Sequence, residues 1–315
     1  MYINRRELIK AQKHKEKFSR FDIVVRSAYL DSIGTPKYGL YKALYNKMQI
    51  LRTGHACHTN GIPWVEQFLL LDRSFCKNGY IDEYPLVVND DLHLINSSHR
   101  ASLCLHHKID KIPINISDDW LAHLENKGLK TKTYFDYGIG WFRDNGFSDK
   151  ELKMIIDSKN SIFEELGLYF YVILWPPAAK YFKDILRDIS NNHEVISSKQ
   201  IDFGKDFDSI VREIYQIDNI EEWKLNKKIN SMKNSSNDTS AMVIKLDLFG
   251  TKFRRKTKFP DCEISLESEA IKKKIRDKYK DKIDKYFYDI IIHMSDNYDH
   301  VNHINQTFKR YKLED

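Results

Sequence analysis

Five consecutive polar residues, Asn96-Ser97-Ser98-His99-Arg100, are the part of this chain best equipped to hold an anion. They follow a short apolar run and precede a stretch of helical character, so they read as the loop that opens a helix. The first turn of a helix leaves backbone N–H groups without intrahelical partners, and those groups attract phosphate. Ser97 and Ser98 can cap such a helix, and His99 and Arg100 add donors where a phosphate would sit. Each has a structural alternative: His99 satisfied by a loop carbonyl, and Arg100 paired with Asp90 or Asp91. Four carboxylates stand nearby in sequence: Glu66, Glu83, Asp90 and Asp91. Phosphoryl transfer to a hydroxyl needs a base for the proton and carboxylates for Mg²⁺. Asp90-Asp91 also suits an ordinary turn.

Other candidates are scattered. His293 and Asp296 follow an apolar run and precede a helix, a position that carries ligands in α/β sheets. Asp296 as a helix cap with His293 packed beside it is the structural alternative. The run 252–258 (Lys-Phe-Arg-Arg-Lys-Thr-Lys) includes Arg254 and Arg255, which can clamp phosphate or lie solvated on a loop. His55, Cys57 and His58 together make zinc conceivable, although Gly54, Asn60 and Gly61 argue against a helix there. His106-His107 reads as the solvated end of a helix, where cations are favoured.

The elements that must position these groups are legible in part. The spacing of apolar residues over 64–78 predicts an amphipathic helix, with Gly79 just past its end. Residues 85–88 and 92–95 read as two short strands around an Asn89-Asp90-Asp91 turn. Helices are expected over 35–50, 101–107 and 118–127, and a strand over 112–116. Residues 21–26 fit either a short strand or the end of the preceding helix. Ser148 and Glu151 form a capping-box signature for a helix to about 166. Strands are then expected at 168–175, 195–201, 241–249 and 288–294, and helices at 206–232, 266–287 and 298–311. Strand and helix alternate throughout the second half, which predicts an α/β layered domain. Glycines at 138, 140 and 146 mark a change of composition, and the expected division is 1–130 and 131–315.

The chain has 315 residues, with 51 Lys and Arg against 45 Asp and Glu, a net charge of +6. That mild excess fits a phosphorylated or acidic substrate and does not by itself argue for DNA. No apolar run approaches a membrane span, and the charged N-terminus lacks a signal core, so a cytoplasmic protein is expected. The four cysteines, Cys57, Cys76, Cys104 and Cys262, show no CxxC spacing and read as reduced thiols.

Residues 64–116 resemble the ParB/sulfiredoxin-like domain. The matching pieces run in order: helix 68–78, Gly79, the apolar strand 85–88, the acidic turn 89–91, the Asn96 to Arg100 loop, helix 101–107, and Ile112-Pro113-Ile114. The resemblance implies nucleotide binding, with the His-Arg loop as a phosphate cradle for ATP or CTP. Ser97 replaces the family glycine, adding a Cβ where the backbone approaches phosphate. The chain lacks the Gly-Glu-Arg-Arg pattern of the partition proteins and has no loop cysteine of the sulfiredoxin kind. The kinase-like branch remains. The expectation is a mixed α/β, ATP-dependent phosphotransferase that uses Mg²⁺ and acts on a small hydroxyl-bearing metabolite bound by the second domain. Two alternatives stay open: a ParB-type nucleotide-gated DNA-binding protein, and a transferase of cell-surface polysaccharide biosynthesis.

Overall fold

The computed structural model describes residues 1–117, 136–218, 220–236, 238–256, 259–287 and 289–313, with the side chains of 256 and 259–262 excepted. The expected helix over 118–127 lies outside the described residues. The chain forms two compact units of mixed α/β structure, Met1–Leu166 and Gly167–Asp315. This corrects the expected division near 130. The helix that follows Ser148 packs on a helix of the first unit, and Phe163 meets Phe18 edge-on at 5.4 Å. Burial of that apolar face assigns residues 136–166 to the first unit.

The first unit begins with β1 (Tyr2–Ile3), α1 (Arg5–Ala11) and a small hairpin of β2 (Lys13–His14) and β3 (Lys17–Phe18). Helices α2 (Phe21–Asp31), α3 (Tyr38–Thr53) and α4 (Trp64–Asn78) follow. Residues 21–26 are thus helical. Every residue of α2 from Phe21 to Leu30 is buried, so the sequence shows no polar face by which to recognise the helix. α4 ends as expected at Gly79, whose φ of +69° suits glycine.

Next come β4 (Leu86–Val88), α5 (Ser98–His106) and β5 (Ile112–Ile116), a parallel strand–helix–strand unit. β1 adds to β5 antiparallel, giving the order β1-β5-β4. The strand expected at 92–95 does not form. Leu92 takes φ +60°, only Leu94 bridges to Val88, and the Leu94 N–H is held by the Gln12 side chain at 3.0 Å. The unit closes with α6 (Ile139–Asp144) and α7 (Asp149–Leu166), whose start carries the expected Ser148/Glu151 capping box.

The second unit is built on β6 (Phe170–Leu174), β7 (Glu194–Asp202), β8 (Ser240–Asp247) and β11 (Ile292–Met294), in the order β11-β6-β8-β7. Every pairing in this sheet is antiparallel. The alternation of strands and helices therefore does not make a parallel layered sheet, and the ligand rule for parallel strand ends loses its basis here. β9 (Phe253–Lys256) and β10 (Phe259–Ser265) form a separate hairpin. The helices are α8 (Phe182–Ser190), α9 (Phe207–Gln216), α10 (Glu222–Ser235), α11 (Leu266–Tyr279) and α12 (Tyr298–Arg310). The single helix expected over 206–232 is thus two, α9 and α10. Among the described residues, no helix is long and apolar enough to cross a membrane.

Candidate anion-binding site

The expected loop does open α5, and Ser97 occupies the N-cap position with φ +74° and ψ +28°. This is the left-handed region, which costs a residue with a Cβ roughly 1–2 kcal/mol. The serine thus sits where a glycine would be unstrained. The Ser97 side chain makes no cap hydrogen bond to the first turn of α5, where the opening N–H groups lack intrahelical partners.

The expected ligands divide. Asn96 is exposed, and its Oδ1 accepts the Ser97 N–H at 2.6 Å. Arg100 turns back on the loop. Its guanidinium donates to the Tyr84 carbonyl and, at 2.5 Å, to Ser97 Oγ. It braces the cradle rather than extending from it. His99 turns inward, with Nε2 3.3 Å from Tyr45 Oη and 3.4 Å from Gln49 Nε2. Burial first, then the nearby Arg52 charge, bring its pKa down to about 4, so it is neutral at pH 7.

Beside this helix start stands a cluster that sequence reasoning missed. Arg20 grips Asp22 through two hydrogen bonds, of 2.8 and 3.1 Å, and also donates to the Leu94 carbonyl and to Ser98 Oγ. Arg26 reaches the Asp22 carboxylate at 2.9 Å and Gln49 Oε1 at 2.6 Å. Arg52 lies 3.5 Å from Asp22, donates to Gln49 Oε1 and stacks over the Tyr137 ring at 4.3 Å. Burial would raise the Asp22 pKa, but Arg20 and Arg52 outweigh it and hold the carboxylate below its ordinary range. The one signal available beforehand was the Asp22/Arg26 spacing of one helical turn inside an apolar run.

Three guanidiniums thus converge on one carboxylate. Arg20 and Arg26 are fully enclosed, whereas Arg52 keeps 14% of its side chain exposed. An anion at the Arg52 edge would meet a guanidinium and the N–H groups that open α5. Phosphate groups such as those of ATP or CTP fit this donor set. Mg²⁺ does not, because guanidiniums occupy both Asp22 oxygens. The expected metal ligands also lie elsewhere on the surface. Glu66 is exposed on α4, Glu83 is exposed before β4, and Asp90 and Asp91 form an exposed turn.

Helices α2 and α5 run in the same direction, side by side. Arg20 meets Ser98 at one end, and Asp31 meets His106 at the other. An open hollow of about 490 Å³ lies at that far end, lined by Asp31, Ser32, Thr35, Tyr41 and Glu165. An eleven-residue helix spans roughly 16 Å, too far for direct transfer between hollow and cradle.

In the second unit, His293 and Asp296 are brought together in a buried polar cluster. His293 Nε2 lies 3.2 Å from His300 Nε2, and Asp218 approaches both rings at 3.8 and 4.0 Å. Asp296 accepts from Lys272 at 2.7 Å, and the cap of α12 is Asn297, one residue later than expected. Lys228 donates to Tyr215 Oη at 3.0 Å, and burial brings its pKa down to about 8. Burial, reinforced by the neighbouring His300 and cations, pushes His293 well below its ordinary pKa, and burial takes His300 to about 4. Arg254 pairs twice with Glu269 on the surface at 2.8 Å, and Arg255 is exposed on β9. Residues 257–258 of the basic run lie outside the described residues.

The chain is a mixed α/β protein of two compact units. No protein-family model, no curated protein and no solved structure matches the chain.

Proposed function

We propose that the first unit binds the phosphate groups of a nucleotide at the start of α5, and that the protein is a nucleotide-dependent phosphotransferase. Its acceptor would be a small hydroxyl-bearing molecule. One observation carries the binding part: Arg20, Arg26 and Arg52 share a single carboxylate beside uncapped helix N–H groups. The transfer part rests on the resemblance of residues 64–116 to the kinase-like branch. Phosphate at the Arg52 edge would meet a guanidinium and the positive end of the α5 dipole.

The test is a thermal-shift series with ATP, CTP, GTP and their diphosphates, run on the natural chain and on Arg52→Ala. A nucleotide at 100 times its Kd stabilises by about 2.7 kcal/mol. Stabilisation by one nucleotide that Arg52→Ala removes supports the cradle and leads to a screen for phosphate transfer to hydroxyl acceptors. No stabilisation by any nucleotide overturns the reading.

A further inference from the structure

A second constellation lies at the opposite end of α5. Asp72 and Cys76 are one turn apart on α4, so both side chains leave the same face of that helix. His107, the residue that ends α5, brings its Nε2 to 2.7 Å from Asp72 Oδ1 and 3.9 Å from Cys76 Sγ. The three ligand atoms lie within 4.8 Å of one another. Phe75 stacks on the His107 ring at 5.1 Å and 19°, which fixes the direction of Nε2.

We propose that Asp72, Cys76 and His107 form a site for one divalent transition-metal ion of the zinc class. The donor set is a carboxylate, a thiolate and an imidazole, all common zinc ligands, and thiolate favours zinc over magnesium or calcium. Ordinary zinc bond lengths set tetrahedral ligand separations of roughly 3.3–3.5 Å. Asp72 must draw back by roughly 0.6 Å and Cys76 move in by roughly 0.4 Å, shifts that side-chain rotation on α4 can supply. The ion takes the place of the proton between Nε2 and Asp72, and Cys76 gives up its thiol proton to solvent. Cys76 is exposed, so a water can complete the fourth position.

Electrostatics favour a cation here. The closing carbonyls of α5 carry the negative end of its dipole. Asp31 adds a second carboxylate, 2.5 Å from His106, whose ring packs against His107 at 4.5 Å. The other three-ligand group, Asp218, His293 and His300, faces Lys228, Lys272 and Arg276, which repel a dication. The site is independent of the phosphate cradle.

The experiment uses the full chain, reduced and stripped of metal, titrated with Co²⁺ and followed by absorbance. The expected result is one equivalent bound, with the strong visible bands of four-coordinate cobalt and a thiolate-to-cobalt charge-transfer band. Cys76→Ser should remove that band, and His107→Ala should weaken binding by roughly 100-fold or more, since even outer-shell losses reach that size. Cys57→Ser, in the loop with His55 and His58, should change neither. No binding, or weak octahedral bands without the thiolate band, overturns the proposal. So does loss of the band in Cys57→Ser rather than Cys76→Ser.

Discussion

The two units handle buried charge in opposite ways. In the first, three guanidiniums crowd one carboxylate, Asp22. In the second, Lys272 meets Asp296 at 2.7 Å and Arg276 meets Asp289 at 3.2 Å, and the buried Lys228 donates to the Tyr215 hydroxyl. A guanidinium-rich cluster suits an anionic ligand, whereas one-to-one pairs can serve as framework. This contrast is why we place the anion in the first unit.

The contrast breaks most sharply at its centre. Asp22→Asn leaves three guanidiniums without their shared counter-charge and should destabilise by about 3–5 kcal/mol in urea unfolding. Added inorganic phosphate should restore part of that loss. Asp296→Asn in the second unit should cost less, about 1–3 kcal/mol, because Lys272 is 14% exposed and can turn to water. Equal losses, or no rescue by phosphate, would remove the distinction between the units.

Acid should separate the units next. His99, His293 and His300 are neutral when folded and have lowered pKa values. A lowered histidine pKa gives stability that is present above the unfolded value near 6.5 and lost as pH falls toward the folded value. With a folded pKa of about 4, His300 alone accounts for a loss of roughly 2 kcal/mol at pH 5. Among the described residues, the second unit holds three histidines of lowered pKa, His193, His293 and His300, and the first holds one, His99. Hydrogen exchange between pH 7 and pH 5 should therefore show protection falling further in β6 and β8 than in α2.

Two smaller effects sharpen the picture. Arg254→Ala should change stability by less than about 1 kcal/mol, as for other surface pairs; a larger loss would give the basic run a structural role. Ser97→Gly relieves left-handed strain but loses the Arg100 hydrogen bond, so thermal unfolding should move by less than about 1 kcal/mol. A strong loss of nucleotide binding in that variant would mean that the hydroxyl, rather than the backbone, holds the anion.

The parts of the fold legible in the sequence are those with local signals. α4 announces itself by apolar spacing and Gly79, and α7 by its Ser148/Glu151 box. The α5 loop was legible too, but its side chains were not. Arg100 bonds the Tyr84 carbonyl 16 residues back, and Arg20 bonds Ser98 78 residues on. No spacing rule links residues so far apart. α2 was hidden because it is buried all round, and with it went Asp22 and its arginines. The antiparallel order of the second sheet was hidden for a related reason. Alternation of strand and helix fixes which elements exist, and tertiary packing decides their direction.

The pairing of β1 with β5 has a consequence in time. Ile3 faces Ile112, and the Met1 carbonyl accepts the Ile114 N–H at 3.0 Å. In synthesis from the N-terminal side, Tyr2 and Ile3 emerge well before their partner residues Pro113 and Ile112. Closing so long a loop is entropically slow. Tyr2 and Ile3 must therefore wait for their place, and the β1-β5-β4 sheet cannot be completed until β5 has left the ribosome.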